Sequence, residues 1–303
     1  MTPHLDAGVV EPHLTWSGVM DTIERGHHLA RAEVDDTLLR RREDSVLSRA
    51  ALIDGLGVLV KTATVYPGNA SRGIASINGS VALFDDVTGV LVATIDFDLL
   101  TRWKTAADSA LAARHLARAD SGHIVIVGAG NVAQAMIDAY GAVFPGAVFT
   151  IWNRSPERAE ELAEITGAGF VSRLETALVA ADIVCTATMS TDPLVVGELV
   201  EPGTHIDLIG GYRRDMREAD DRLVEKASVF VDCVDTALDV GDIAEPVASG
   251  LLDSTRLLDF GNIADGSFRR EHDDQITMFK NAGGAHLDLM VARHMFDAVQ
   301  TAD

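Results

Sequence analysis

The run LTRWKTAADSALAARHLA is a helix-like stretch of small side chains that opens on a cation, Lys104. Small residues let a ligand or a second helix come close, and a lysine in a first turn opposes the helix dipole, which favours anions there. Lys104 is therefore either a surface lysine on a packing helix or a cation that holds an anion together with nearby backbone N–H groups. Lys61, in GVLVKTATVYP, poses a similar choice. A lysine on a strand can be an edge charge that discourages aggregation. It can also be a proton donor whose pKa is lowered by burial and by a like charge such as Lys104.

A second group of residues points to a dinucleotide. IVIVGAGNVAQA carries Gly128, Gly130 and Ala133 in the G-x-G-x-x-G/A spacing, with Ala129, Asn131 and Val132 filling the turn. The first glycine permits the tight turn and the second lets backbone approach a pyrophosphate. The small third residue packs helix on strand, and the pyrophosphate sits on the helix N-terminus. The next strand ends TIWNRS, with Asn153 and Arg154 and no acidic residue between 139 and 156. An acid there would hold the ribose 2′-hydroxyl of NAD, whereas an arginine pairs with a 2′-phosphate, so NADP(H) is favoured over NAD(H). Thr186, Ala187 and Thr188 in CTATMSTDPL belong at the carboxyl end of a parallel strand, where ligands bind in open α/β sheets. Thr105 and Gly210 complete the expected cofactor-facing set.

Asn69 in YPGNAS and Asn281 with Gly283 in FKNAGGAHLD are loop-like and suited to lining a nicotinamide pocket. His286 and Asp288 are spaced too closely to act together from one helical face, and His286 reads as a helix-start residue. The ten histidines show no metal-ligand spacing such as H-E-x-x-H, so no metal is expected.

These residues need two kinds of scaffold. HLTWSGVMDTIERGHHLARAEV (13–34) reads as an amphipathic helix capped by Thr15 or Ser17. After it the chain breaks into β-branched and aliphatic runs, with a hairpin turn at FDDVTGVL (84–91), so that the opening part reads as a mixed, mainly antiparallel β unit of about a hundred residues. From residue 123 strands alternate with helices, including one with Ser155 at its cap and Pro156 in its first turn, which implies a parallel sheet. GGAHLDLMVARHMFDAVQ reads as a closing helix able to return to the first domain.

The length of 303 residues fits about two domains. A net charge of −21 argues against nucleic acid or an anionic membrane surface as partner. The apolar runs are too short to cross a bilayer and the N-terminus has no leader pattern. Cys185 and Cys233 alone make no disulfide framework, which fits a reducing cytoplasm.

The order of motifs carries a further signal. VKTATVYPGNASRG, VALFDDVTGVLVATID, LTRWKTAADSALAARHLA, IVIVGAGNVAQA, DIVCTATMSTDPLV, PGTHIDLIGGYRRDMREAD and ITMFKNAGGAHLDLM together resemble the ornithine cyclodeaminase/μ-crystallin family. The resemblance implies a mixed α+β substrate and dimerisation domain (1–117, completed by 284–303) and a doubly wound α/β Rossmann domain (118–283). It also implies a homodimer. Within it Lys61 matches the lysine that faces the substrate, and Lys104 stands where the family usually has an arginine for the substrate carboxylate. Lysine neutralises a carboxylate as a point charge without the planar fork, so capture is expected to be shared with Arg49. Arg40, Arg41 and Arg42 are competing candidates, and Asn69 is a further substrate contact.

The family's cyclodeaminases carry an aspartate just after the paired glycines, where this chain has Tyr212, with Asp215 and Glu218 beyond it. The implied activity is NAD(P)H-dependent reduction of a small cyclic or linear α-imino acid such as Δ1-pyrroline-2-carboxylate, or the reverse dehydrogenation. A cyclodeaminase-type lyase is the alternative, and a crystallin-like NADPH-binding protein the third reading.

Overall fold

The computed structural model describes residues 2–301. The chain falls into two compact units, Met1–Lys104 with Gly284–Asp303, and Thr105–Gly283.

In the first unit the alternating apolar runs form β1 (His4–Leu5), β2 (Glu33–Arg41), β3 (Asp44–Ile53), β4 (Gly57–Val65), β5 (Ile77–Phe84) and β6 (Leu91–Ile95). They make one sheet in the order β1-β6-β5-β4-β3-β2, antiparallel except where β1 runs parallel to β6. Turn chemistry sets the register. Asp85 accepts the backbone N–H of Val87 and Thr88, and Gly89 takes φ 66°, closing the hairpin expected at FDDVTGVL. Gly57 has φ 108°, and a Cβ there would lie 2.3 Å from the Phe84 carbonyl oxygen.

The first long helix spans Trp16–Gly26, capped as expected by Thr15, whose hydroxyl accepts from the Gly18 N–H at 3.1 Å. It is shorter than the 13–34 stretch read from the sequence. A Cβ on Gly26 would lie 2.3 Å from Met290 Sδ, so a glycine is needed where the end of the helix meets its neighbour, and from Glu33 the chain pairs with β3. That neighbour, the C-terminal helix Ala285–Gln300, also covers β3 and β4. Val19, Met20, Ile23, Leu59, Leu83, Leu287 and Val291 are buried in the resulting core.

The second unit holds β7 (His123–Val127), β8 (Val148–Trp152), β9 (Gly169–Phe170), β10 (Ile183–Thr186), β11 (His205–Leu208), β12 (Ser228–Val231) and β13 (Thr277–Lys280). All pairings are parallel, in the order β12-β13-β11-β10-β7-β8-β9. The chain grows outward from β7 through β8 to β9 and then crosses to the other side of β7 with β10. This places the topological switch point of a doubly wound, Rossmann-type sheet between β7 and β10. The central strands β7 and β10 are buried on both faces, hence the apolar runs 124–127 and 183–185, whereas β11 buries His205 and Asp207.

Pro156 begins the helix Pro156–Thr166 as expected, although Ser155 at the cap position makes no side-chain cap bond. The helix Phe97–Leu116 carries the chain from one unit into the next, and the division falls inside it, after Lys104. Among the described residues no helix is long and apolar enough to cross a membrane, and no group of three His, Cys, Asp or Glu side chains is placed to hold a metal.

Candidate active site

The register of β3 on β4 sets Arg49 directly opposite Lys61. The Lys61 ammonium donates to Asp288 Oδ1 at 2.8 Å, with the two side chains 11% and 5% exposed. The Phe97 ring lies 5.1 Å from Lys61 Nζ, where the glycine at position 79 leaves room for it. Burial holds the Lys61 pKa below the ordinary lysine value of 10.5; Asp288 opposes that shift, while Lys104 and Arg49 add to it. Lys104 is 3% exposed, which removes the surface-lysine reading. The like-charge effect of Lys104 expected from the sequence is present, but burial outweighs it.

Arg49 donates through Nε and Nη2 to Asp36 Oδ2 at 2.9 and 2.7 Å. Arg40, Arg41 and Arg42 lie near the tip of the β2–β3 hairpin, exposed, with Arg41 paired to Asp44 and lying over the Tyr66 ring. Of the four arginines, the register brings only Arg49 beside Lys61. Asn69 spends its amide on the Ala75 carbonyl, tying its own loop. His286 packs edge-on to His27, in keeping with a structural role.

Its spacing from His286 gives Asp288 no role in the sequence, and its partner Lys61 lies far away in the chain. A usable signal was its setting between Leu287 and Leu289, since an aspartate inside an apolar run needs a partner.

In the second unit, the turn after β7 has the form a diphosphate needs. Gly128 takes φ 126°, and a Cβ on it would meet the Ala187 carbonyl oxygen at 2.6 Å. Gly130 is the N-cap of the helix Asn131–Val143, has no side-chain cap bond, and has nothing within 4 Å of where a Cβ would stand. The backbone of Ala129, Asn131 and Val132 is therefore open to an anion, while Ala133 is buried against the sheet. These residues fit a dinucleotide diphosphate. After β8 the Asn153 amide donates to the Ser155 carbonyl, and Arg154 is exposed.

Thr186, Thr188 and Gly210 converge on one carboxylate, that of the fully buried Glu218. The hydroxyls of both threonines are thus already donated within the protein, and Ala187 presents its carbonyl toward Gly128. Asn281 donates to the Thr105 carbonyl at 3.0 Å and to Ser109 Oγ at 2.9 Å, and Asp232 accepts from the N–H of Ala282 and Gly283. Behind this edge Asp207 is fully buried and receives the Tyr140 hydroxyl at 2.8 Å; burial pushes it up to about 7. Tyr212 is exposed and lies against Arg213, which also pairs with the exposed Asp215.

A profile of the Ornithine cyclodeaminase/mu-crystallin family matches residues 49–303. The chain is 43% identical over 302 residues to a Δ1-pyrroline-2-carboxylate reductase of Paracoccus denitrificans, covering 96% of this chain and 95% of that one. Among solved structures it is similar to the Thermococcus litoralis Δ1-pyrroline-2-carboxylate reductase in complex with NADH and L-proline. That likeness has a TM-score of 0.90 at 27% identity and covers 99% of this chain and 98% of the other. An archaeal alanine dehydrogenase dimer with bound NAD gives a TM-score of 0.91 at 25% identity, covering 99% and 97%.

Proposed function

The chain belongs to the ornithine cyclodeaminase/mu-crystallin family, and from that premise we propose that it reduces a small α-imino acid, Δ1-pyrroline-2-carboxylate or a close analogue, to the amino acid. It is a nicotinamide-dependent oxidoreductase acting on a C=N bond. The observation that carries the reading is the cation group of Arg49, Lys61 and the buried Lys104, with Asp288 paired to Lys61.

Arg49 and Lys104 supply the positive charge that a substrate carboxylate requires. Arg49 offers a planar fork once Asp36 shares it, and Lys104 a point charge. Lys61 gives a proton to the imine nitrogen as the C=N bond becomes C–N, and Asp288 holds the ammonium in one orientation between turnovers. When bound, the reduced nicotinamide supplies the hydride. Gly128, Ala129, Gly130, Asn131 and Val132 offer backbone to its diphosphate.

Arg154, with no acid beside it in 139–156, supports NADP(H) over NAD(H). A homodimer is supported by the dimeric relative and by β2, an edge strand exposed along its length with Leu38 and Leu39 outward. Two unpaired cysteines are in keeping with the cytoplasm.

The lyase reading lacks support around Tyr212, because Asp215 is tied to Arg213 and Glu218 is enclosed. Mixing the protein with NADPH and a panel of cyclic imino acids, alongside ornithine with NAD, tests the assignment. Loss of reduced-nicotinamide absorbance with an imino acid supports it, and ammonia from ornithine without net cofactor change overturns it.

A further inference from the structure

We infer that Glu218 is a positioning residue for the nicotinamide half of the cofactor; the inference rests on the cofactor assignment above. Its carboxylate is fully buried and accepts four hydrogen bonds. Oε1 takes the Thr188 N–H at 2.9 Å and the Thr188 hydroxyl at 2.7 Å, while Oε2 takes the Thr186 hydroxyl at 2.7 Å and the Gly210 N–H at 2.8 Å. A carboxylate has about four lone-pair sites, so every one is used. A carboxylate that accepts from this many donors has its geometry fixed from four directions.

The groups it fixes are not spread at random. Thr186 ends β10, Thr188 follows it, and Gly210 follows β11, so Glu218 ties together the carboxyl ends of two adjacent strands. β10 lies on one side of β7 and β8 on the other. Arg154 and the adenosine end belong to the β8 side, which leaves the β10–β11 side for the nicotinamide end. The approach is close: a Cβ on Gly210 would lie 1.8 Å from the Thr188 carbonyl oxygen. Ala187, between the two threonines, faces Gly128 in the diphosphate turn.

Glu218 is itself anchored. Asp242 Oδ1 accepts from the backbone N–H of Glu218 at 2.8 Å and of Ala219 at 3.3 Å, and Asp242 Oδ2 stands 3.3 Å from the buried Lys280 ammonium. The arrangement is more polar than strand packing requires, since two threonines and a glycine N–H could have been met by water at an exposed edge. Instead the loop tips are preset before any ligand arrives, which lowers the ordering needed on binding.

The test replaces Glu218 by Gln, which keeps the shape but turns an amide NH₂ toward groups that are themselves donors. Binding of NADPH and of ADP, the half without nicotinamide, is measured by calorimetry, with kcat and KM alongside. The expected result for Glu218→Gln is an NADPH Kd raised about tenfold or more, as loss of a charged buried hydrogen bond implies, with the ADP Kd within about twofold. Glu218→Asp recovers part of the NADPH loss. Thr188→Ala, which removes one donor and is the safer variant to fold, shows the same split with a smaller amplitude. NADPH and ADP weakened equally in Thr188→Ala, or NADPH binding unchanged in Glu218→Gln, overturns the inference. Wild-type protein that binds neither probe overturns the cofactor assignment and the inference with it, a failure distinguishable because it is seen without any substitution.

Discussion

Lys61 and Asp288 lie 227 positions apart in the chain, yet their side chains meet at 2.8 Å with little solvent access. β4 carries the ammonium and the first turn of the C-terminal helix carries the carboxylate. Burial lowers the Lys61 pKa, and the paired Asp288 opposes that shift.

A pH profile reads this balance. Reduction needs the protonated Lys61, so kcat/KM for the imino acid falls on an alkaline limb placed below 10.5, the ordinary lysine value. Asp288 raises the Lys61 pKa, so Asp288→Asn moves the limb to lower pH. Lys104 lowers it, so Lys104→Met moves the limb the other way. Limbs that stay put in both variants would remove Lys61 as the titrating group. Lys61→Ala should lose about 10²–10⁴-fold in turnover.

The proposed carboxylate-binding role is tested at Arg49. Arg49→Ala should raise the imino-acid KM about tenfold to a hundredfold, the loss of a charge-assisted bond, and leave the NADPH KM unchanged. Arg49→Lys recovers only part, because the fork is missing. Steady-state kinetics with each substrate varied in turn checks this, and an equal rise in both constants would contradict it.

These two predictions mark how far the sequence was readable. The glycine turn, the strand–helix alternation and the hairpin at FDDVTGVL are local chemistry, and each is written in a few adjacent residues. The choice of Arg49 over Arg40, Arg41 and Arg42 is not, because it depends on the register of β3 against β4. Asp288 and Glu218 depend on partners 227 and about 30 positions away, and no spacing rule reaches that far. The helix expected over 13–34 stops at Gly26 because from Glu33 the chain pairs with β3, a tertiary effect that periodicity does not carry.

The proposed preference for NADP(H) is tested at Arg154. Arg154→Ser should raise the NADPH KM about tenfold or more and leave the NADH KM within about twofold, since only the 2′-phosphate is lost as a partner. Comparison of the two cofactors in wild type and variant decides it. A parallel change in both would place the 2′-phosphate elsewhere.

Asp207 offers a stability test. Its folded value of about 7 lies above the ordinary 3.8, so the folded state holds a proton that the unfolded state releases. The stability tied to that proton is fully present below 3.8 and is lost as pH rises through about 7. Asp207→Asn removes the titration, so thermal melts should show the variant gaining on wild type by several degrees between pH 4 and pH 8. A melting difference that does not change with pH would mean Asp207 is ionised throughout.

The most direct test of the central claim follows the hydride. The protein is given Δ1-pyrroline-2-carboxylate and NADPH deuterated at the transferable position, and the product is examined by mass spectrometry. Proline carrying one deuterium at its α-carbon, formed by wild type and greatly reduced in Lys61→Ala, is the predicted result. Product without the label, or no product while ornithine releases ammonia, would contradict imine reduction as the activity of this protein.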